Sequence, residues 1–145
     1  MSIKPLSWRK DLEKPTGMSR FFQDMPLFGA VRRRRRAVHR QIATRNAAEC
    51  ASLWDDKPEE KAIAIKVAEI AQAYLGWPNA NFIPTDPCEI IFSPAWDGLE
   101  VVCVLMEIGD QFHLDGEDLL QAINSTFGHL VEYIGDSVRS KRDLA

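Results

Sequence analysis

The chain has no apolar stretch approaching the ~20 residues that a membrane-spanning helix needs, so no span is predicted. Lys4, Arg9, Lys10 and Asp11 near its start are followed by no apolar block, so a secretory signal is not expected. Cysteine is scarce. Cys50, Cys88 and Cys103 cannot all pair with one another, and none stands at Cys-x-x-Cys spacing, which argues against a disulfide framework and a thiolate metal knuckle. A reduced, cytoplasmic setting is the expectation. His39, His113 and His129 lie far apart with no ligand partner at metal spacing. Gln111 to Gly116 echoes a calcium loop only in its Asp-Gly. Glycine-rich dinucleotide fingerprint, Walker-type loop and nucleophile elbow are all missing. The sequence therefore predicts neither an enzyme nor a bound cofactor or metal.

What is present is a soluble-type composition, 46% apolar, with charge divided unequally. Residues 1–57 hold 13 basic and 6 acidic residues, a balance of +7, whereas the remainder holds 5 basic and 15 acidic, a balance of −10. The net charge of −3 conceals two segments of opposite sign that can attract each other.

Proline and glycine punctuate residues 1–30, which read as irregular; Phe21, Phe22, Met25, Leu27 and Phe28 are too dense there for a purely solvated tail. A helix is predicted over about 31–54, where Gly and Pro vanish and Val38 and Ile42 begin an apolar stripe. Asp55 to Pro58 ends it. The clearest helix runs from Glu59 to Leu75, with Ile63, Val67, Ile70, Ala71 and Tyr74 on one predicted buried face and Gly76 as its terminator. Trp77 to Trp96, with four prolines, reads as a long loop anchored by Phe82, Ile83, Ile90, Ile91 and Phe92.

Asp97 suits the cap of a next helix, with Glu100 at the capping-box position. Val101, Leu105, Ile108 and Phe112 make its stripe, and Leu99, Val102 and Met106 are expected to widen it toward burial on two sides. Cys103 reads as a core filler among apolar neighbours. A short helix at 117–123 follows, carrying Leu119, Leu120 and Ile123. The last helix, Phe127 to about Ser137, turns Phe127, Leu130, Val131 and Ile134 inward, and residues 138–145 are expected to be a frayed polar tail.

Asp97-Gly98-Leu99-Glu100-Val101-Val102, running on to Phe112, resembles the acyl-carrier-protein signature, Asp-Ser-Leu-Asp/Glu followed by an apolar stripe and a terminal Phe. The step of 14 residues from Gly98 to Phe112 is that family's spacing. Ser125-Thr126-Phe127-Gly128-His129-Leu130-Val131-Glu132-Tyr133-Ile134 resembles the family's last-helix opening, Thr-Thr-Val-Gly-Asp-Leu-Val-Glu-Tyr-Ile, and Leu114 to Asp118 falls where it has Ile-Pro-Asp-Glu-Asp. The resemblance implies an all-α, four-helix acyl-carrier-protein-like bundle over 58–137, preceded by a basic, partly helical extension over 1–57. It also implies a docking face made of Asp97, Gly98, Leu99, Glu100, Val101 and Glu107, for partners with a basic surface such as enzymes of acyl or lipid metabolism.

One departure decides the chemistry. The family's serine, whose hydroxyl bears phosphopantetheine, is replaced by Gly98, which has no side chain to esterify. The resemblance thus points to an interaction module without an acyl arm. A genuine carrier modified at Ser93, five residues upstream, is the alternative. A second alternative rests on Arg32, Arg33, Arg34, Arg35 and Arg36, reinforced by Arg40, which form a collar suited to the phosphates of nucleic acid or an anionic membrane. The simpler reading of that collar is a basic helix packed on the chain's own acidic bundle, directly or by exchange within a homodimer.

Overall fold

The structure, a computed structural model, describes residues 3–7, 30–93 and 99–144, with side chains omitted for 30–33. The described residues are helical, with no strand and one isolated bridge between Pro87 and Thr126. Helix α1, Ala30–Ala43, buries Ala37, Val38 and Ile42. It stops short of the predicted end because Arg45 and Asn46 leave the helix. The Asn46 side chain accepts from Glu49 N–H at 3.0 Å and so caps a separate short helix α2, Ala47–Ser52.

Helix α3, Pro58–Leu75, starts with proline in its first turn and ends at Gly76, whose φ of 72° lets its N–H close on the Gln72 carbonyl. Its buried face is turned by one position from the predicted one. Ala64, Val67, Ala68, Ala71 and Leu75 lie inside, Ile63 and Ile70 are half-buried, and Tyr74 is 44% exposed. Small alanines on that face allow close approach of two neighbouring helices.

Inside the predicted long loop, Cys88–Ile91 forms one helical turn, α4. Phe82, Ile83, Ile90, Ile91 and Phe92 are all buried, so the apolar anchors hold this segment down as expected. Trp77 adds a further pin, its indole N–H donating to the Ile91 carbonyl at 2.9 Å. Helix α5, Leu99–Phe112, ends where His113 takes a left-handed φ of 57° and Leu114 N–H reaches back to the Gly109 carbonyl, a Schellman closure. Asp115 caps α6, Gly116–Ala122, by accepting from Glu117 N–H.

The last helix, α7, Phe127–Leu144, continues beyond Ser137 rather than fraying there. No Gly or Pro interrupts residues 138–144, and Arg139 ties the segment to Asp136 and, at 3.3 Å, to Glu59 of α3. Helix α3 packs against both α5 and α7, and α6 joins α5 to α7.

Phe127 is the centre of the core: Trp54 meets it edge-on at 5.7 Å and Phe82 at 5.8 Å. With Leu130, Val131 and Ile134 it is fully buried, each side chain contributing roughly 1.5–3 kcal/mol of hydrophobic stabilisation. Leu6, Val38, Ile42 and Trp54 belong to the same apolar cluster. The basic and acidic segments therefore share one interior.

Candidate functional site

Helix α5 has more apolar residues than its inner side can bury. Val104, Leu105 and Ile108 are enclosed, and Val101 and Phe112 pack partly against the same core. Leu99, Val102 and Met106, expected inside, are instead 62%, 50% and 63% exposed. Their spacing of three and four residues puts them in one row along the helix. Scattered exposed apolar residues are ordinary, whereas a row of three large ones on a single helix marks a surface suited to contact. Exposed Asp110 lies one turn beyond Met106, and Glu107 is half-buried, accepting from Gln111 at 3.2 Å.

Glu100 points differently. Both of its carboxylate oxygens are enclosed and have no hydrogen-bond partner among the described residues, so this acid does not face solvent as a docking charge would. Its nearby charge acts on Arg35 of α1. That guanidinium lies 4.2 Å from the Trp77 ring centroid and donates to the carbonyls of Leu75 and, at 3.4 Å, Ser93. Burial pulls the Arg35 pKa below its ordinary value, with Glu100 opposing that shift. Val101 is half-buried. Asp97 and Gly98 lie outside the described residues, and Leu99 is the first described residue of this helix.

The arginine collar is divided by the fold. Arg35 is turned inward, Arg34, Arg36 and Arg40 are exposed, and the side chains of Arg32 and Arg33 lie outside the described set. Arg45 forms a buried ion pair. Its guanidinium meets the Asp86 carboxylate through both oxygens, at 2.6 and 2.7 Å, with both side chains buried. Arg45 also donates to the carbonyls of Lys4 and Asn81, while Asp86 accepts from the N–H groups of Leu6 and Ile83. Asp86 is not recognisable from sequence periodicity, since it lies in a turn between Pro84 and Pro87 and pairs with a residue 41 positions away.

Among the hydroxyl and thiol groups, Ser93 Oγ donates to the Ile90 carbonyl at 2.7 Å. Burial pushes the Cys50 thiol up, and burial followed by the Asp86 charge pushes Cys88 to about 12. Cys103, expected in the core, is half-buried. His39, His113 and His129 are exposed, and among the described residues no three His, Cys, Asp or Glu side chains are placed to hold a metal ion. No described helix is long and apolar enough to cross a membrane. Comparison with protein-family models, with curated proteins and with solved structures finds no match for this chain.

Proposed function

We propose that the chain is an acyl-carrier-protein-like docking module that binds a partner protein through α5 and carries no phosphopantetheine. The exposed row of Leu99, Val102 and Met106 carries this reading. A helix presenting three apolar side chains beside acid fits a groove with an apolar floor and a basic rim. The partner class, an enzyme or complex of acyl or lipid metabolism, rests on the motif resemblance around residues 97–112 and 125–134. In this reading residues 58–137 correspond to the family's four-helix bundle, with α3, α5, α6 and α7 as its members. With the carboxylate oxygens of Glu100 enclosed, Glu107 and Asp110 are the acids left beside the docking row.

Two measurements test this. A photo-crosslinking residue placed at position 102 should trap a discrete partner that the same residue at exposed Lys66 does not. Incubation with coenzyme A and a promiscuous phosphopantetheinyl transferase should leave the intact mass unchanged. An adduct at Ser93 would replace the proposal with that of a genuine carrier; identical crosslinks from positions 102 and 66 would remove the docking role of α5.

A further inference from the structure

Residues 3–7 lie against α1 and the α1–α2 junction without forming helix or strand, and residues 8–29 separate this strap from α1 in sequence. Ile3 is half-buried, Lys4, Pro5 and Ser7 are exposed, and Leu6 is enclosed at 2% exposure. The strap's polar contacts among the described residues are made through its backbone. Arg45 donates to the Lys4 carbonyl at 2.9 Å, and Leu6 N–H donates to Asp86 Oδ1 at 3.0 Å. The Gln41 side-chain amide accepts from Ser7 N–H at 3.1 Å and donates to the Ser7 carbonyl at 2.9 Å. Main-chain hydrogen bonds with one anchored apolar side chain are how proteins bind extended peptides: the bonds give affinity and the anchor gives specificity. Pro5 fixes its own φ and biases Lys4 toward extended backbone, which lowers the entropy lost on docking.

The receiving groups are held in place without the strap. Arg45 and Asp86 pair with each other at 2.6 and 2.7 Å, Arg45 also donates to the Asn81 carbonyl, and Asp86 accepts from Ile83 N–H. When the strap leaves, Arg45 and Asp86 keep these partners, and Gln41, at the helix surface, turns to water. What empties is the seat of Leu6 in the apolar cluster that also holds Val38 and Ile42. The groove is wider than its occupant. A cleft of about 880 Å³ runs from the strap to Thr44, Asn46 and Glu49, and another of about 370 Å³ shares Ile3 and Glu49 with it and reaches Leu53 and Pro84.

We propose that the groove formed by α1, the α1–α2 junction and residues 83–86 is a peptide-recognition site whose occupant is the chain's own residues 3–7, bound as a separable ligand rather than as a fixed part of the core. The class recognised is an extended peptide with leucine following proline, read by Gln41, Arg45 and Asp86 through its main chain. Docked, the strap closes the groove to any other peptide of that pattern, which makes it an autoinhibitory contact.

The test uses the full chain carrying Leu6→Asp, which removes the anchor from the strap and leaves Gln41, Arg45 and Asp86 intact. The probe is the C-amidated peptide Ile-Lys-Pro-Leu-Ser with an N-terminal fluorophore. Its anisotropy gives the affinity, and NMR shifts of the Gln41 side-chain amide and the Ile83 N–H give the location. Saturable binding with shifts at both groups is expected, and none by the same peptide carrying aspartate for leucine. Methylating the leucine nitrogen removes the donor to Asp86 and should weaken binding at least about tenfold. The unaltered chain should bind the peptide at least about tenfold more weakly than Leu6→Asp, because its own strap competes at a raised local concentration. No saturable response in Leu6→Asp, equal binding of the aspartate peptide, or equal affinity for the altered and unaltered chains would overturn the proposal. Leu6→Ala, which brings no charge to the seat, gives the same comparison should Leu6→Asp not fold.

Discussion

Replacing Asp86 by Asn is a sharp probe of what joins the basic and acidic segments. The native carboxylate receives two guanidinium N–H groups at 2.6 and 2.7 Å and two backbone N–H groups, Leu6 at 3.0 Å and Ile83 at 2.9 Å. Each oxygen faces one of each kind. An amide keeps one acceptor and turns an NH2 toward two donors, so two hydrogen bonds vanish and a repulsive contact replaces them. Arg45, whose side chain is 5% exposed, is then left as a buried charge without its counter-ion. Breaking one side of such a pair costs about 3–5 kcal/mol. At roughly 2–4 °C per kcal/mol for a chain of this size, the midpoint should fall by about 6–20 °C. Urea unfolding followed by tryptophan fluorescence reads the change, because Trp54 packs on Phe127 in the core. The transition midpoint should move while its slope holds. Arg45→Met should lose a similar amount, and the pair Arg45→Met with Asp86→Leu should recover most of it. A loss below about 1 kcal/mol in Asp86→Asn would show that this ion pair does not hold the halves together.

Other perturbations separate packing from function. A Cβ at position 128 would lie 3.0 Å from both the Pro84 oxygen and its Cβ, so Gly128→Ala should destabilise by about 1–3 kcal/mol; at Gly116 nothing lies within 4 Å, and Gly116→Ala should be neutral or stabilising by up to about 1 kcal/mol in the same unfolding assay. Burial raises Cys88 from 9.0 to about 12. The unfolded thiol therefore releases its proton first, and stability should fall as pH rises from about 9 toward 12, with a shallower fall in Cys88→Val measured alongside. Val102→Ser with Met106→Gln should shift stability by no more than about 0.5 kcal/mol per site while abolishing crosslinking to the partner from a photo-reactive residue moved to position 99; retained crosslinking would exclude the α5 row as the contact.

The helices that sequence periodicity located best are those whose signals are local. Pro58 and Gly76 frame α3, and Phe127, Leu130, Val131 and Ile134 all point inward as their spacing implies. The break between α1 and α2 was hidden because its cause is distant: Arg45 leaves the helix to meet Asp86, and only then does Asn46 become a cap. The α4 turn was masked by prolines on both sides, Pro87 serving as its cap rather than as a breaker. For the candidate site, the sequence indicated that α5 is apolar nearly all round, but hydropathy cannot say which side meets α3 and which meets water. Leu99, Val102 and Met106 were thus expected inside and are found outside. Glu100 shows the converse, a charged residue whose carboxylate oxygens are enclosed while its charge acts on the Arg35 guanidinium that lies over Trp77.

The shared interior has a consequence for any attempt to cut the chain where its charge changes sign. A piece starting at Pro58 would leave Trp54, Val38, Ile42 and Leu6 behind, and the seats they fill against Phe127 and its neighbours would open to water. The severed pieces, with formal balances of +7 and −10, would each be incomplete yet mutually attracted, and so suited to reassemble on mixing. The sign change marks a seam inside one folding unit rather than a joint between two.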